Sequence, residues 1–362
     1  MKILHVINNL ATGGAEKLLL ETIPKYTATD RSVDLLVLNG IEYPFYLEFQ
    51  KNKQNQLFSL GKLSIYNPIL IFKVIKYLKK YDIIHVHLFP SLYWVAIAKM
   101  LSFSSVKLIY TEHSTSNRRH NSFFFKFFDR LIYSQYSKIV CVSKEVEEQL
   151  KKKLNLANSK LTCIENGIDL SKIENAKGYT IEELNLGLPS NAKILLQVSS
   201  FQFPKDQMTV IKALQHLSEN IHLLLAGHGN LEAQCQQLAR ELKLTERVHF
   251  LGIRMDIPRL LKTADIVILT SQYEGLSLSC IEGLASGKPF VASDVPGLKE
   301  IVNESGLLFP FRDNTILAQI CSSFLNDKDK YDEAVKKCLQ RAKQYDIANM
   351  IQKQTELYQS LS

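Results

Sequence analysis

The 362-residue chain has no apolar run long enough to cross a bilayer. Its most apolar stretch, Leu88 to Leu101, contains Pro90 and is broken by Lys99, whereas a spanning helix needs about 20 predominantly apolar residues. The first residues do not read as a secretory leader either. Met1-Lys2-Ile3-Leu4-His5-Val6-Ile7 offers one basic residue and a short apolar run ending at Asn8-Asn9, which predicts a buried first strand. Cysteine is sparse: Cys141, Cys163, Cys235, Cys280, Cys321 and Cys338 lie singly, with no C-x-x-C pair. That spacing excludes a zinc knuckle and an extracellular disulfide framework, and predicts reduced thiols in a cytoplasmic protein. Neither a G-x-G-x-x-G fingerprint nor a P-loop is present, which argues against NAD chemistry and P-loop ATP hydrolysis. Acidic residues are outnumbered, 36 against 44 basic, for a net charge of +8 that favours an anionic partner.

What is present is an ordinary folding composition, 46% hydrophobic and 22% charged, which excludes disorder. At roughly 150 residues per domain the length predicts two domains. Short β-branched runs recur at Ile3 to Ile7, Val33 to Leu38, Ile83 to Val86, Leu108 to Thr111 and Ile139 to Val142. After an interruption they resume at Ile194 to Val198, His222 to Ala226, Val248 to Leu251, Ile266 to Leu269 and Phe290 to Ala292. Amphipathic segments such as Ile69 to Lys80 lie between them. Strands buried on both faces and alternating with helices predict an α/β fold with two doubly wound, Rossmann-like parallel sheets, facing one another across a cleft. The expected domains are 1–168, a linker at 169–190 rich in turn residues, and 191–340. The segment 341–362 is expected to pack back on the first domain as a helix, and Asp329 to Leu361 reads as one long helix or two.

In open parallel sheets ligands sit beyond the carboxyl ends of the strands, where helix N-termini offer N–H groups to anions. The first strand is followed by Gly13-Gly14-Ala15-Glu16, in which Gly14 lets the backbone approach a phosphate or sugar, although a tight turn accounts for such a pair equally well. The strand Ile266 to Leu269 leads into Ser271-Gln272-Tyr273-Glu274-Gly275-Leu276-Ser277-Leu278-Ser279-Cys280-Ile281-Glu282-Gly283. Glu274 falls before a helix and Glu282 within it, where carboxylates can accept hydrogen bonds from vicinal hydroxyls. Gly275 permits the tight entry, and the N–H groups of Leu276 and Ser277 at the helix start suit a phosphate. Glu282, between Ile281 and Leu284, is poorly explained as part of a solvated face.

This segment, continuing through Ala292-Ser293-Asp294-Val295-Pro296-Gly297, resembles the signature of family 4 of the retaining glycosyltransferases, which have the GT-B fold. Asp82-Ile83-Ile84-His85-Val86-His87, Thr111-Glu112-His113, Glu165-Asn166-Gly167 and Ala226-Gly227-His228-Gly229 agree with it in order along nearly the whole chain. The resemblance implies that Glu282 holds the donor's ribose hydroxyls and Glu274 the transferred sugar, with Gly275, Leu276 and Ser277 near the diphosphate. Lys205 resembles the lysine that neutralises the leaving diphosphate, Gly14 the glycine beside it, and His113 the histidine next to the sugar at the reaction centre. Ser200 stands where many members carry an arginine. One cation from this loop then faces the diphosphate, unless Arg254 or another base supplies a second. The implied enzyme moves a hexose with retention from a nucleoside-diphosphate sugar, by default a UDP-sugar, to a saccharide acceptor, in bacterial surface polysaccharide synthesis. No metal and no cofactor are implied.

An alternative within enzymes is a nucleotide-sugar epimerase or phosphorylase on the same fold, and one from another class is a catalytically silent nucleotide-sugar-binding or assembly protein. His85 and His87 share a strand face but gain no carboxylate or cysteine partner from the sequence, and His228 reads as a loop residue near the nucleobase. The stretch Arg118 to Arg130 interleaves basic and phenylalanine residues. A core helix explains it, and a helix lying on an anionic membrane surface, bringing a lipid-linked saccharide within reach, is the rival. Nucleic acid is not an expected partner.

Overall fold

The computed structural model describes residues 1–28, 32–113, 123–154 and 156–361. The chain divides into two compact units, one formed by 1–166 with 347–362 and the other by 167–346. The first unit holds a parallel sheet of β1 (Lys2–Ile7), β2 (Ser32–Val37), β3 (Leu57–Ser59), β4 (Ile83–His87), β5 (Lys107–Glu112), β6 (Lys138–Cys141) and β7 (Leu161–Cys163), in the order β3-β2-β1-β4-β5-β6-β7. The second holds β8 (Lys193–Val198), β9 (Ile221–Ala226), β10 (Val248–Gly252), β11 (Ile266–Leu269), β12 (Phe290–Ser293) and β13 (Leu307–Phe309), in the order β10-β9-β8-β11-β12-β13. Every pairing is parallel.

These strands form because their side chains have apolar neighbours on both faces. β4, β9, β11 and β12 are buried at every position, and β1, β2 and β5 at every position but the first. Each sheet reverses its winding once, between β1 and β4 in the first unit and between β8 and β11 in the second. Diverging crossover connections open a crevice beyond the strand ends at such a reversal.

Three strands escaped the sequence reading: β3, β7 and β13. Each is three residues long and lies at a sheet edge. The join contains a short helix, Leu170–Glu174, and is pinned to the second unit. Tyr179 N–H donates to Thr263 Oγ1 at 2.7 Å, and the Arg259 guanidinium lies 3.7 Å over the Tyr179 ring. At the C-terminus two helices form, Lys328–Ala342 and Ile347–Gln359, separated by a short 3-10 turn at Lys343–Tyr345. The second buries Ile347, Met350 and Tyr358 in the first unit.

Candidate functional site

The carboxyl ends of β8 and β11 bring together residues far apart in sequence. Lys205, on the loop after β8, and Ser271, just past β11, form an isolated antiparallel bridge. Around it Asp206 N–H donates to Thr270 O at 3.1 Å and Gln272 N–H to Pro204 O at 2.9 Å. The two loops are thereby stitched together at the winding reversal. The Lys205 ammonium pairs with Glu274 Oε1, and Ser271 Oγ donates to the same oxygen at 2.5 Å. The side chains are only 14% and 11% exposed, so both charges are largely withdrawn from water and each depends on the other. Phe203, 60% exposed, meets Tyr273 edge-on at 5.7 Å beside the pair.

Glu274 is braced from behind. Its N–H donates to Pro296 O at 3.0 Å, and Gly297, at φ +86°, packs so closely that a Cβ there would lie 2.1 Å from Glu274 O. Gly275 and Ser277 are half-buried and Leu276 is buried. Ser277 caps the helix Leu278–Ala285, its carbonyl accepting from Cys280 N–H at 3.1 Å and Ile281 N–H at 3.2 Å. Glu282 lies within that helix and is 5% exposed, so a solvated face does not account for it. Its neighbour Gly283 explains the tight seating. A side chain there would run into the Phe290 ring of β12 at 2.3 Å. Burial pushes the Cys280 thiol well up from its ordinary value, and nearby Glu274 adds to the shift, leaving an unreactive packing residue.

Ser200 is exposed, and its carbonyl accepts from Gln207 Nε2 at 2.9 Å. Arg254 does not offer a free second cation. Its Nε donates to Asp256 Oδ1 at 2.8 Å and its Nη2 to Oδ2 at 2.5 Å, and this guanidinium holds the Asp256 carboxyl down at about 2. His228 is exposed and pairs with Glu232 at 2.7 Å. The glycines beside it are required by the fold, since a Cβ at Gly227 would lie 2.0 Å from Ser199 O and one at Gly229 2.3 Å from Phe201 O. The loop after β9 is therefore layered directly on the loop that carries Ser200 and Lys205. The expectation that the sequence holds no D-x-D tripeptide is corrected by Asp327-Lys328-Asp329. Asp327 caps the helix Lys328–Ala342, accepting from Lys330 N–H at 3.1 Å.

In the first unit, Gly14 opens the helix Gly14–Thr22, and a Cβ added there would meet nothing within 4 Å. Glu16 is buried two residues on, and burial pushes its carboxyl up to about 7. His113 stands just past β5, half-buried. From sequence alone His85 and His87 have no partners, but the sheet supplies them. His5 on β1 is the register partner of His85 on β4. His5 Nδ1 lies 3.0 Å from His87 Nε2, and His87 Nδ1 lies 3.2 Å from His113 Nε2. His85 Nδ1 meets Tyr358 Oη at 2.7 Å and its Nε2 meets Thr111 Oγ1 at 2.6 Å. His5, His85 and His87 offer nitrogens within 4.8 Å of one another, the grouping of a metal site. Those nitrogens are engaged in the hydrogen bonds just given, with His5 Nε2 facing Tyr358 Oη at 3.4 Å. Isolated, His5 would have been read as an ordinary strand residue; only the register with His85 marks it. Of the Arg118 to Arg130 stretch, residues 118–122 lie outside the described residues and 123–130 belong to a helix. Within it, Phe128 is exposed and Asp129 buried on the helix Phe123–Ser134.

Two Rossmann-like units, each built on a parallel sheet that reverses its winding once, are the architecture of the GT-B fold. The family models agree: Glycosyltransferase Family 4 matches residues 12–172 and Glycosyl transferases group 1 matches residues 181–344. The chain belongs to this family and is a glycosyltransferase. It is 27% identical over 358 residues, 94% of each chain, to the N-acetylgalactosamine-N,N'-diacetylbacillosaminyl-diphospho-undecaprenol 4-alpha-N-acetylgalactosaminyltransferase of Campylobacter jejuni. It is also 27% identical over 241 residues to the UDP-Gal:alpha-D-GlcNAc-diphosphoundecaprenol alpha-1,3-galactosyltransferase of Escherichia coli, covering 63% of this chain and 62% of that one. Its fold matches that of Anabaena HepE, solved in complex with UDP and glucose, with a TM-score of 0.84 and 24% identity over 99% of this chain and 100% of that one.

Proposed function

We propose that the protein transfers a hexose, with retention at the anomeric carbon and without a metal, from a UDP-sugar to a saccharide acceptor in bacterial surface polysaccharide synthesis. The observation that carries this is the Lys205–Glu274 pair at the end of β8 and β11. A preformed ammonium beside a preformed carboxylate suits a nucleoside-diphosphate sugar, whose phosphates need a cation and whose sugar hydroxyls need acceptors. Lys205 then stabilises the charge that grows on the departing phosphate, in a site where its position is already fixed by Glu274 and costs no reorganisation. Glu282 holds the ribose hydroxyls, and Gly275, Leu276 and Ser277 lie along the diphosphate. Gly14 leaves open space for the donor's approach, and His113 lies beside the sugar. Retention follows from front-face displacement, the leaving phosphate helping to take the acceptor's proton.

The acceptor we favour is a lipid-linked saccharide, because the names of the two bacterial relatives both contain a diphospho-undecaprenol carrier. An anionic membrane surface fits the +8 charge. It also fits an exposed face of the first unit, on the helix Ile69–Leu78, where Phe72 is 65% exposed beside Lys73 and Lys76.

The test is a transfer assay with labelled UDP- and GDP-hexoses against free and lipid-linked saccharides, with products read by mass spectrometry and the new linkage by NMR. A labelled acceptor with the donor's anomeric configuration is expected. An epimerised free donor, or an intact donor after long incubation with every acceptor, would overturn the proposal in favour of an epimerase or a silent binding protein.

A further inference from the structure

The reaction proposed above leaves His87 and His5, the buried histidines behind His113, without a task. Among the described residues His113 has one hydrogen-bond partner, His87 Nδ1 at 3.2 Å from its Nε2. His87 Nε2 in turn meets His5 Nδ1 at 3.0 Å, and His5 Nε2 faces Tyr358 Oη at 3.4 Å. The links run head to tail, Nδ1 of one ring to Nε2 of the next. The rings of His5 and His87 lie nearly parallel, 13° apart, with centroids at 5.2 Å.

A neutral imidazole carries one N–H and one bare nitrogen, so it donates at one end and accepts at the other. Burial disfavours the charged form of all three rings, drawing His5 down to about 3 and His113 to about 4, and His87 is lowered too. In a head-to-tail line of neutral rings, each bond is satisfied only if every ring bears its proton on the same named nitrogen. Either all three are Nδ1–H or all three are Nε2–H. The Tyr358 hydroxyl closes the far end in both cases, because it can donate or accept.

We propose that His87 and His5 are positioning residues that hold His113 in one ring orientation and tie its tautomer to theirs, so that its free Nδ1 meets the sugar with a fixed hydrogen-bonding sense. This rests on the reading of His113 as the histidine beside the transferred sugar. An isolated neutral histidine changes tautomer freely. Here His113 changes only if both rings behind it change too, which removes that freedom before the donor arrives. Neither His5 nor His87 touches the donor in this account; both act through His113.

Long-range proton–nitrogen NMR on histidine-labelled protein at pH 7 reads the tautomer of each ring directly and requires no activity. The same protonated nitrogen is expected on His5, His87 and His113. In His87→Phe, which keeps the ring volume and removes both links, His113 is expected to populate both tautomers. With donor present, His87→Phe should lower kcat roughly tenfold while leaving the donor KM within about twofold. His87→Asn, whose amide nitrogen or oxygen replaces Nδ1, should recover part of the loss. Unlike tautomers within the wild-type line, unchanged His113 signals in His87→Phe, or an unchanged kcat would each overturn the proposal. If the wild-type protein transferred no sugar, the functional reading would fall, and the NMR result would still decide the hydrogen-bonded line.

Discussion

At the scale of single residues, the chain places ionisable groups where burial changes their behaviour. Glu16 is one such case outside the proposed donor site. Its carboxyl, buried in the first turn of the helix Gly14–Thr22, is raised to about 7 from 4.5. The unfolded chain therefore releases this proton at lower pH than the folded one does. Nothing is lost below the unfolded value; between the two values the unfolded state binds fewer protons and stability falls as pH rises. Above pH 7 the penalty is complete, up to about 3 kcal/mol. Glu16→Gln removes the charge and keeps a polar side chain of similar shape. Its stability gain over the wild type should be absent at pH 4 and largest at pH 8, as read by urea denaturation at each pH. A gain independent of pH would show that the carboxylate is not desolvated.

At the scale of elements, the helix Ile347–Gln359 is the last in sequence yet belongs to the first unit. Tyr358 is fully buried against His5 and His85, and Tyr26 donates to Gln354. Tyr358→Ala should therefore cost about 3–5 kcal/mol of stability, the range for a large buried aromatic, as a lowered midpoint in urea. A midpoint within error of the wild type would show that this helix contributes nothing to the first unit's core.

Elements also explain what could be read from the sequence. The central strands were legible because burial on both faces demands continuous β-branched runs, as in Ile266 to Leu269. β3, β7 and β13 were not, since a three-residue edge strand is too short to carry a pattern. The break between the two C-terminal helices was left open because no proline or glycine marks Lys343–Tyr345. Glu274 and Glu282 were legible from their motif. That Glu274 would pair with Lys205, 69 residues away, depends on β8 and β11 being neighbours, and adjacency in a sheet is a property of topology rather than of either segment. His5 was missed for the same reason. Arg254 was a reasonable second cation until the fold committed it to Asp256.

At the scale of the whole molecule, each unit repeats one winding, and each has polar groups clustered near the strands where that winding reverses. In the first unit they are neutral imidazoles; in the second, a charged pair with a buried acid close by. Among the described residues no helix is long and apolar enough to cross a membrane. If the second unit holds the nucleotide half of the donor, as proposed, calorimetric titration with UDP detects it without an acceptor. The wild-type protein should bind UDP, and Glu282→Ala should bind it at least about tenfold more weakly, since a carboxylate accepting ribose hydroxyls contributes about 1.5–3 kcal/mol. Equal affinity in the two proteins, or no UDP binding by the wild type, would contradict the account.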